Sequence, residues 1–429
     1  MVDEVFEFGE GVLSKIIAEI EKAESYVRIV VFQMQNFKLI DALIKKVKNK
    51  VKVEVITLPF TSIYGKEIEK EVNEKFQEFS KFGGKLYTYD WNIGTTEHTK
   101  SVSGPWYGLH AKFIVTDKAA IILSANLTNE SEVDASIINS NKNMIKEFNL
   151  RFEEVKEDYI GDEITKKIKL HEKDKNHLSE IFTVPKHLKK DQKSILHYPM
   201  SMCKKTEEIK ETIYMTPFDC IGRDFIKKII EEAKEFAYIC TERFTDEDFF
   251  YFLEKMKLEK KDIQVLAKFK SQDYQYKIRK LAKDSIALGI KLGDMDIHAK
   301  LIITDKLVAV GSINFNQMNL GFIPKKGFLR GNTEVIYITR DKKIIKDARE
   351  KFLNFFNLST NVIDKITEKE GGELKKIMKH VLGMKKFADK KEFIKECIRE
   401  EVENRKQIIE KMVEIRNKER KEEENQTKL

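Results

Sequence analysis

The sequence predicts an α/β protein built as two similar halves with a helical tail, and three observations carry that prediction. Short runs of β-branched and apolar residues alternate with amphipathic segments of helical period, as strands and helices stacked in layers do. The same order of elements runs twice along the chain, with a repeat of about 130 residues rather than a short solenoid period. A polar motif then recurs at the matching place in each run. It comprises His110, Lys112, Asp117, Ser124 and Asn126 in the first copy and His298, Lys300, Asp305, Ser312 and Asn314 in the second, at identical spacing.

The elements follow in order. Val12, Leu13, Ile16, Ile17 and Ile20 fall at helical spacing among Lys and Glu, which predicts a helix over 11–24. Tyr26 to Phe32 reads as a strand, and Leu39, Ile40, Leu43, Ile44 and Val47 mark a second helix. A strand from Val51 to Ile56 precedes a helix over 65–82, stopped by Gly83 and Gly84. Leu86 to Tyr89 is a short strand, and a loop from Trp91 to Pro105 leads into the first motif. The second half repeats this with helix 223–236, strand 236–240, helix 246–257, strand 263–266 and helix 274–288, which Gly289 stops. A strand-like stretch over 290–292 then leads into the second motif, and a strand from Asn332 to Ile338 and a helix over 342–357 follow it.

Domains are therefore expected at 1–161 and 213–358, joined by a charged linker over 162–212 and followed by a helical tail over 359–429. In the linker, His171, His177, His187 and His197 have no acidic or cysteine partners at ligand spacing, so they read as surface histidines rather than a metal site. In the tail, Ile394, Ile398, Val402, Ile409 and Val413 lie roughly on one face of a long helix starting near Asp389. A stripe that thin suits packing on its own protein or a short coiled coil, which leaves open a homodimer or a protein partner through this helix.

Composition bounds the class. A chain of 429 residues is long enough for two or three cores, and 41% hydrophobic content is globular. The net charge of +8 and the pI near 8.9 fit a polyanionic partner, although a lysine-rich protein of any kind carries as much. Cys203, Cys220, Cys240 and Cys397 form no Cys-x-x-Cys pair and no zinc-spaced cluster, so they read as reduced thiols. The first residues lack the basic start and apolar run of a signal peptide, and no apolar run approaches the roughly 20 residues of a membrane span. The expectation is a cytoplasmic protein with no stable membrane insertion.

The motif carries the chemistry. Apolar runs between its polar positions, Phe113 to Val115 and Ile121 to Leu123, then Leu301 to Ile303 and Val308 to Val310, read as strand, tight turn, strand. Residues two apart on a strand project to one face, so each copy aims an imidazole and an ammonium at one point. Two such units would bring the copies face to face across a pseudo-twofold axis, a usual place for a shared site. Attack on an anionic phosphodiester needs positive charge on its non-bridging oxygens. Lys112 and Lys300 supply that charge, helped by hydrogen bonds from Asn126 and Asn314 and from Ser124 and Ser312. A neutral imidazole can attack phosphorus to give a phosphohistidine, while the second histidine protonates the leaving oxygen and later deprotonates the water or alcohol that resolves the intermediate. Such a site needs no metal and no cofactor.

This paired pattern resembles the phospholipase D superfamily, whose signature is His-x-Lys, an Asp, then Gly-Ser-x-Asn. The resemblance covers about 1–160 and 213–358. It implies two α/β sandwich domains with both histidines in one central cleft. It also implies that Asp117 and Asp305 help maintain the site, that Glu334 is the trailing acidic residue of the second copy, and that His110 is the nucleophile and His298 the acid. The sequence departs from the family in places. Leu123 stands where the family often has glycine, whereas Gly311 is kept, and both copies shorten the Asp-to-Ser interval by one residue, which suggests a tighter hairpin. Asn149, Leu150 and Arg151 occupy the region of the trailing acid in the first copy, so no equivalent is assigned there.

The superfamily contains nucleases, phospholipases and phosphatidyl transferases, so the fold does not choose the substrate. The sequence shows no convincing interfacial helix. Lys325, Lys326 and Arg330 flank the second motif, and Trp91, His98, Lys100, Trp106 and Tyr107 precede the first. Cations and aromatics beside a phosphodiester site track a backbone and stack bases, although Trp91 and Trp106 read equally well as packing of a long loop. The expectation is a metal-independent phosphodiesterase that hydrolyses DNA or RNA. The alternatives are a phospholipase D-type lipid hydrolase or phosphatidyl transferase, and a nucleic-acid-binding scaffold with a silent site.

Overall fold

A computed structural model describes residues 4–57, 66–88, 109–128, 133–159, 208–216, 219, 221–269, 276–316, 320, 334–362, 366, 400, 403, 404 and 407. The first half forms a sheet from β1 (Glu4–Gly9), β2 (Tyr26–Val30), β3 (Lys52–Thr57), β4 (Lys85–Thr88), β5 (Phe113–Thr116), β6 (Ala120–Leu123) and β7 (Asp134–Asn139). Their order is β1-β7-β6-β5-β2-β3-β4, with β2, β3 and β4 parallel and the others antiparallel. The second half supplies β8 (Ile213–Met215), β9 (Phe236–Thr241), β10 (Asp262–Ala267), β11 (Lys291–Asp294), β12 (Leu301–Thr304), β13 (Val308–Gly311), β14 (Val335–Thr339) and β15 (Thr360–Asn361). Its order, β15-β11-β10-β9-β12-β13-β14-β8, is that of the first sheet read backwards with β15 added at one edge.

Helices α1 (Val12–Lys22), α2 (Phe37–Lys48) and α3 (Lys66–Lys81) belong to the first half, as does α4 (Lys142–Tyr159). The second half has α5 (Arg223–Glu231), α6 (Glu247–Leu258), α7 (Tyr276–Ala287) and α8 (Lys342–Leu358). Their starts are encoded locally: the side chains of Asn36 and Asp246 accept from the amides of Leu39 and Phe249, satisfying donors that the first turn leaves open. Gly83 and Gly289 follow α3 and α7 with φ of 97° and 86°, the left-handed backbone that glycine adopts without strain.

Three apolar clusters make a layered structure. One packs α1, α2 and α3 on the outer face of the first sheet, and another packs α5, α6 and α7 on the outer face of the second. The third lies between the sheets, where β13 meets β6 and β7 directly. Helix α4 fills the flank beside β2 and β5, and α8 fills the opposite flank beside β9 and β12. Burial on both faces explains why β5, β6, β12 and β13 read as unbroken apolar runs rather than alternating ones. The sheets are also joined by a polar seam. Glu4 accepts from Tyr337 and from Thr339 (2.6 Å), and Asn139 donates to Glu4 (2.5 Å) and to Tyr337 (2.9 Å).

Three sequence-based boundaries change. The helices expected over 11–24 and 223–236 end at Lys22 and Glu231, because the residues after them are held by the motif aspartates described below. The second half does not stop at 358: β15 pairs with β11, and Val362 and Ile366 are buried in the outer core. Beyond Ile366 only residues 400, 403, 404 and 407 are described, all helical, and the apolar stripe expected in the tail lies outside the described residues. So do all the linker residues up to 207.

Candidate active site

Both motif histidines stand just before a central strand, His110 before β5 and His298 before β12, and each is largely buried with 16% and 14% of its side chain exposed. Each lysine two residues on folds back to donate to the carbonyl of its own histidine, Lys112 at 2.7 Å and Lys300 at 2.6 Å. The strand geometry thus fixes the ammonium beside the imidazole in both copies. The lysines are almost wholly buried, and Lys112 is pushed down to about 7, by burial first and by the charge of Lys300 second.

The carboxylates arrive crosswise. His110 Nδ1 lies 2.9 Å from Glu334 of the second half, and His298 Nδ1 lies 3.6 Å from Asp134 of the first. Strand register makes these acids equivalent: the amides of Ser124 and Ser312 donate to the carbonyls of Ala135 and Val335, the residues just after Asp134 and Glu334. Asp134 is therefore the first copy's trailing acid, which corrects the sequence reading that looked near Asn149 to Arg151. The amides of His298 and Ala299 also donate to the carbonyl of Val133, fastening the second motif to the first half (3.2 and 3.0 Å).

Burial holds the His110 imidazole below its ordinary value, with Glu334 pulling the other way. His298 lies further below, through burial and the neighbouring Lys300. Burial opposes ionisation of Glu334, but His110, Lys112 and the Ser312 hydroxyl outweigh it, and the carboxyl sits below its usual range.

The two surroundings then diverge. Val30 and Cys240 pair with Phe113 and Leu301, each three residues past a motif histidine, so Phe32 and Glu242 hold equivalent places. Phe32 stands edge-on to the His110 ring, centroids 5.7 Å apart, and Lys112 lies 5.9 Å from its centroid. Glu242 instead lies 3.3 Å from His298 Nε2 and 3.6 Å from Lys300 Nζ. Nothing in the motif spacing pointed to either residue.

The remaining motif positions differ in what they touch. Asn314 accepts from Thr241 (3.3 Å), which turns its amide nitrogen the other way, and Asn126 donates to Gln33 (3.4 Å). Ser124 is fully buried and accepts from the Ala135 amide (2.8 Å), so it ties β6 to β7 instead of facing a phosphate. Ser312 makes the same tie to Val335 (2.9 Å) and also donates to Glu334. Gly311 is required by close packing, since a Cβ there would run into the Val335 carbonyl; Leu123 keeps its side chain in the outer core.

Asp117 and Asp305 are not beside the histidines. Each sits at the far end of its strand, roughly 20 Å along the chain from the imidazole if extended. Asp117 accepts from the amides of Glu24 and Ser25 (3.0 and 3.2 Å), and Asp305 from those of Lys234 and Glu235 (2.8 and 3.1 Å). They pin the turn that feeds β2 or β9. Burial works against their ionisation, and the backbone amides win, lowering both carboxyls. Lys100, Trp106, Lys325, Lys326 and Arg330, expected to bind nucleic acid, lie outside the described residues, as do Trp91, His98 and Tyr107.

Two histidines, two lysines and crossed carboxylates in the cleft between two related sheets define a two-motif protein of the phospholipase D type. The profile described as "Cardiolipin synthase, PLD-like domain" matches residues 16–156 and 226–356, and the chain belongs to that family. Members of the superfamily are phosphodiesterases and phosphotransferases. No curated protein matches the sequence. Among solved structures, a phosphatidylserine synthase from Haemophilus influenzae Rd KW20 is similar over 95% of this chain and 94% of its own, at 12% identity and a TM-score of 0.58. A polyphosphate kinase from Porphyromonas gingivalis matches 81% of the chain at 9% identity and a TM-score of 0.46, and the chain spans 46% of its length. Nuc, a phospholipase D family member from Salmonella typhimurium, aligns over 35% of this chain and 95% of its own, at 22% identity and a TM-score of 0.29. At these identities the likeness is one of fold.

Proposed function

We propose that this protein is a two-histidine phosphodiesterase that hydrolyses nucleic acid without a metal ion. The observation that supports it most is the crossed arrangement in which each half's histidine meets the other half's carboxylate beside a buried lysine. Lys112 and Lys300 hold the non-bridging oxygens. The Nε2 lone pair of His110 forms a bond to phosphorus as the bond from phosphorus to the leaving oxygen breaks, and that oxygen takes a proton from His298 Nε2. Water then gives its proton to His298 and its oxygen to phosphorus, which frees His110. Nucleic acid is the substrate we favour because of the net charge of +8 and the cations and aromatics that flank both motifs in sequence, Lys100, Trp106, Lys325, Lys326 and Arg330. No helix among the described residues is long and apolar enough to cross a membrane.

A lipid headgroup reading has its own support, in the family's description and in the full-length likeness to a phosphatidylserine synthase. One experiment separates the two. Single- and double-stranded DNA and RNA, and vesicles of phosphatidylglycerol or phosphatidylcholine, are incubated with the protein in EDTA. Cleavage of a nucleic acid is expected, with affinity that weakens and a salt slope that flattens when Lys325, Lys326 and Arg330 become Ala. Headgroup release or exchange, with the polymers intact, would transfer the same chemistry to lipid. Inertness towards all of them, with nucleic acid still bound, would make the chain a scaffold.

A further inference from the structure

A neutral imidazole carries one N–H, and the partners of its two nitrogens decide which one holds it. At His110, Nδ1 faces the ionised Glu334 at 2.9 Å. A carboxylate only accepts, so the proton belongs on Nδ1 and the lone pair on Nε2. At His298 the partners are reversed. Lys300 approaches Nδ1 at 3.2 Å as a donor, while the Glu242 carboxylate approaches Nε2 at 3.3 Å. The proton there belongs on Nε2. Asp134, at 3.6 Å from Nδ1, stands just beyond hydrogen-bonding range. Two histidines in equivalent places are thus held in opposite tautomers, and the pair of residues that differs between the half-sites is Phe32 and Glu242.

We infer that Glu242 is the positioning residue that sets the direction of the reaction: it keeps the proton of His298 on Nε2 and so makes the second half-site the proton donor. Phe32, a hydrocarbon ring, offers no acceptor in the equivalent place, and the Glu334 carboxylate at Nδ1 leaves the lone pair of His110 on Nε2. The chemical consequence rests on the phosphodiesterase reading, whereas the tautomers do not. An incoming phosphodiester displaces Glu242 from the Nε2 proton. As the bond from phosphorus to the leaving oxygen breaks, that oxygen takes the Nε2 proton of the neutral His298 while the Lys300 ammonium passes a proton to Nδ1, so the ring stays neutral. In the second step the attacking water gives a proton to Nε2 and Nδ1 returns its proton to Lys300, which restores the starting state.

The test has an arm that needs no activity. In the full chain with 15N-labelled histidine, assigned through His110→Asn and His298→Asn, long-range proton–nitrogen spectra report which ring nitrogen is protonated. His298 is expected to carry its proton on Nε2 and His110 on Nδ1. Glu242→Phe should move the His298 proton to Nδ1, and Glu242→Gln, whose amide oxygen still accepts, should leave it in place. A wild-type His298 protonated on Nδ1, or a Glu242→Phe spectrum identical to wild type, overturns the inference. The kinetic arm compares bis(4-nitrophenyl) phosphate with diphenyl phosphate, whose phenolate needs more help from an acid. Glu242→Phe should depress phenolate release about 100-fold more than nitrophenolate release. Equal losses on both would mean that Glu242 only supports the fold, and would also overturn it. Wild-type protein inert towards both esters would sink the phosphodiesterase reading, and the spectra would still decide the role of Glu242.

Discussion

The two half-sites share a plan and differ in what fills it. Both set histidine and lysine at the mouth of a central strand, tie the lysine to the histidine carbonyl, and borrow a carboxylate from across the cleft. The first half-site is closed by an aromatic ring and served by a close glutamate; the second is closed by a glutamate and served by a more distant aspartate. The scaffold repeats, and the residues that differ at matching positions, Phe32 and Glu242, make the two half-sites chemically distinct.

Removing either imidazole gives the largest effect. His110→Ala and His298→Ala should each lower turnover by about 1,000-fold or more with the fold intact by circular dichroism. The comparison sharpens with a nitrophenyl diester, whose leaving group needs little protonation. His298→Asn should still accumulate an acid-labile phosphoenzyme on the peptide containing His110. An adduct on His298 in His110→Asn, with none in the reverse case, would exchange the roles.

The crossed acids come next. Glu334→Gln should cost about 100-fold in kcat, because it removes a direct partner of Nδ1, and Asp134→Asn about tenfold, because its contact is longer. Equal losses would mean that the distances do not measure the two roles. Binding should then show a pH limb. Lys112 is held at about 7, and a bound anion favours its charged form, so above that pH binding must take up a proton. Affinity for sulfate, whose charge is constant over this range, followed by inhibition or calorimetry, should be flat below about 7 and fall by up to about tenfold per pH unit above it. A slope that survives Lys112→Met would assign the limb to another group.

The smallest effects belong to the aspartates. Asp117→Asn and Asp305→Asn should each cost about 1 kcal/mol in a denaturant titration and leave kcat within about twofold. Both carboxyls are lowered in the folded state. Their contribution is therefore present above the ordinary aspartate range and is lost as pH falls through the folded value, so the mutant and wild-type stabilities should converge in acid. A large kcat loss without a stability change would return these residues to the site.

Much of this was legible in the sequence. The helical and strand periods gave the layered class, and the repeated His-x-Lys spacing picked out the strands that carry the paired histidines and buried lysines, because strand geometry turns a two-residue interval into a shared face. Spacing said nothing about whom a residue meets across the cleft. Asp117 looked catalytic because it travels with the histidine, yet in space it holds the amides of Glu24 and Ser25. Asp134 was missed because it lies much nearer its histidine in sequence than Glu334 does; the signal available was an acid directly before an apolar strand in each half. Phe32 and Glu242 break the repeat, so a search for what recurs passes over them.

The contact between His110 and Glu334 spans 224 positions of the chain, and it has a consequence for timing. During synthesis the first motif leaves the ribosome long before the acid that orients its histidine has been made. The amino-terminal half by itself lacks Glu334, the carboxylate 2.9 Å from His110, and has only one of the two buried lysines. The constellation of two histidines, two lysines and crossed carboxylates is therefore complete only when the last strands have been made and have docked against the first.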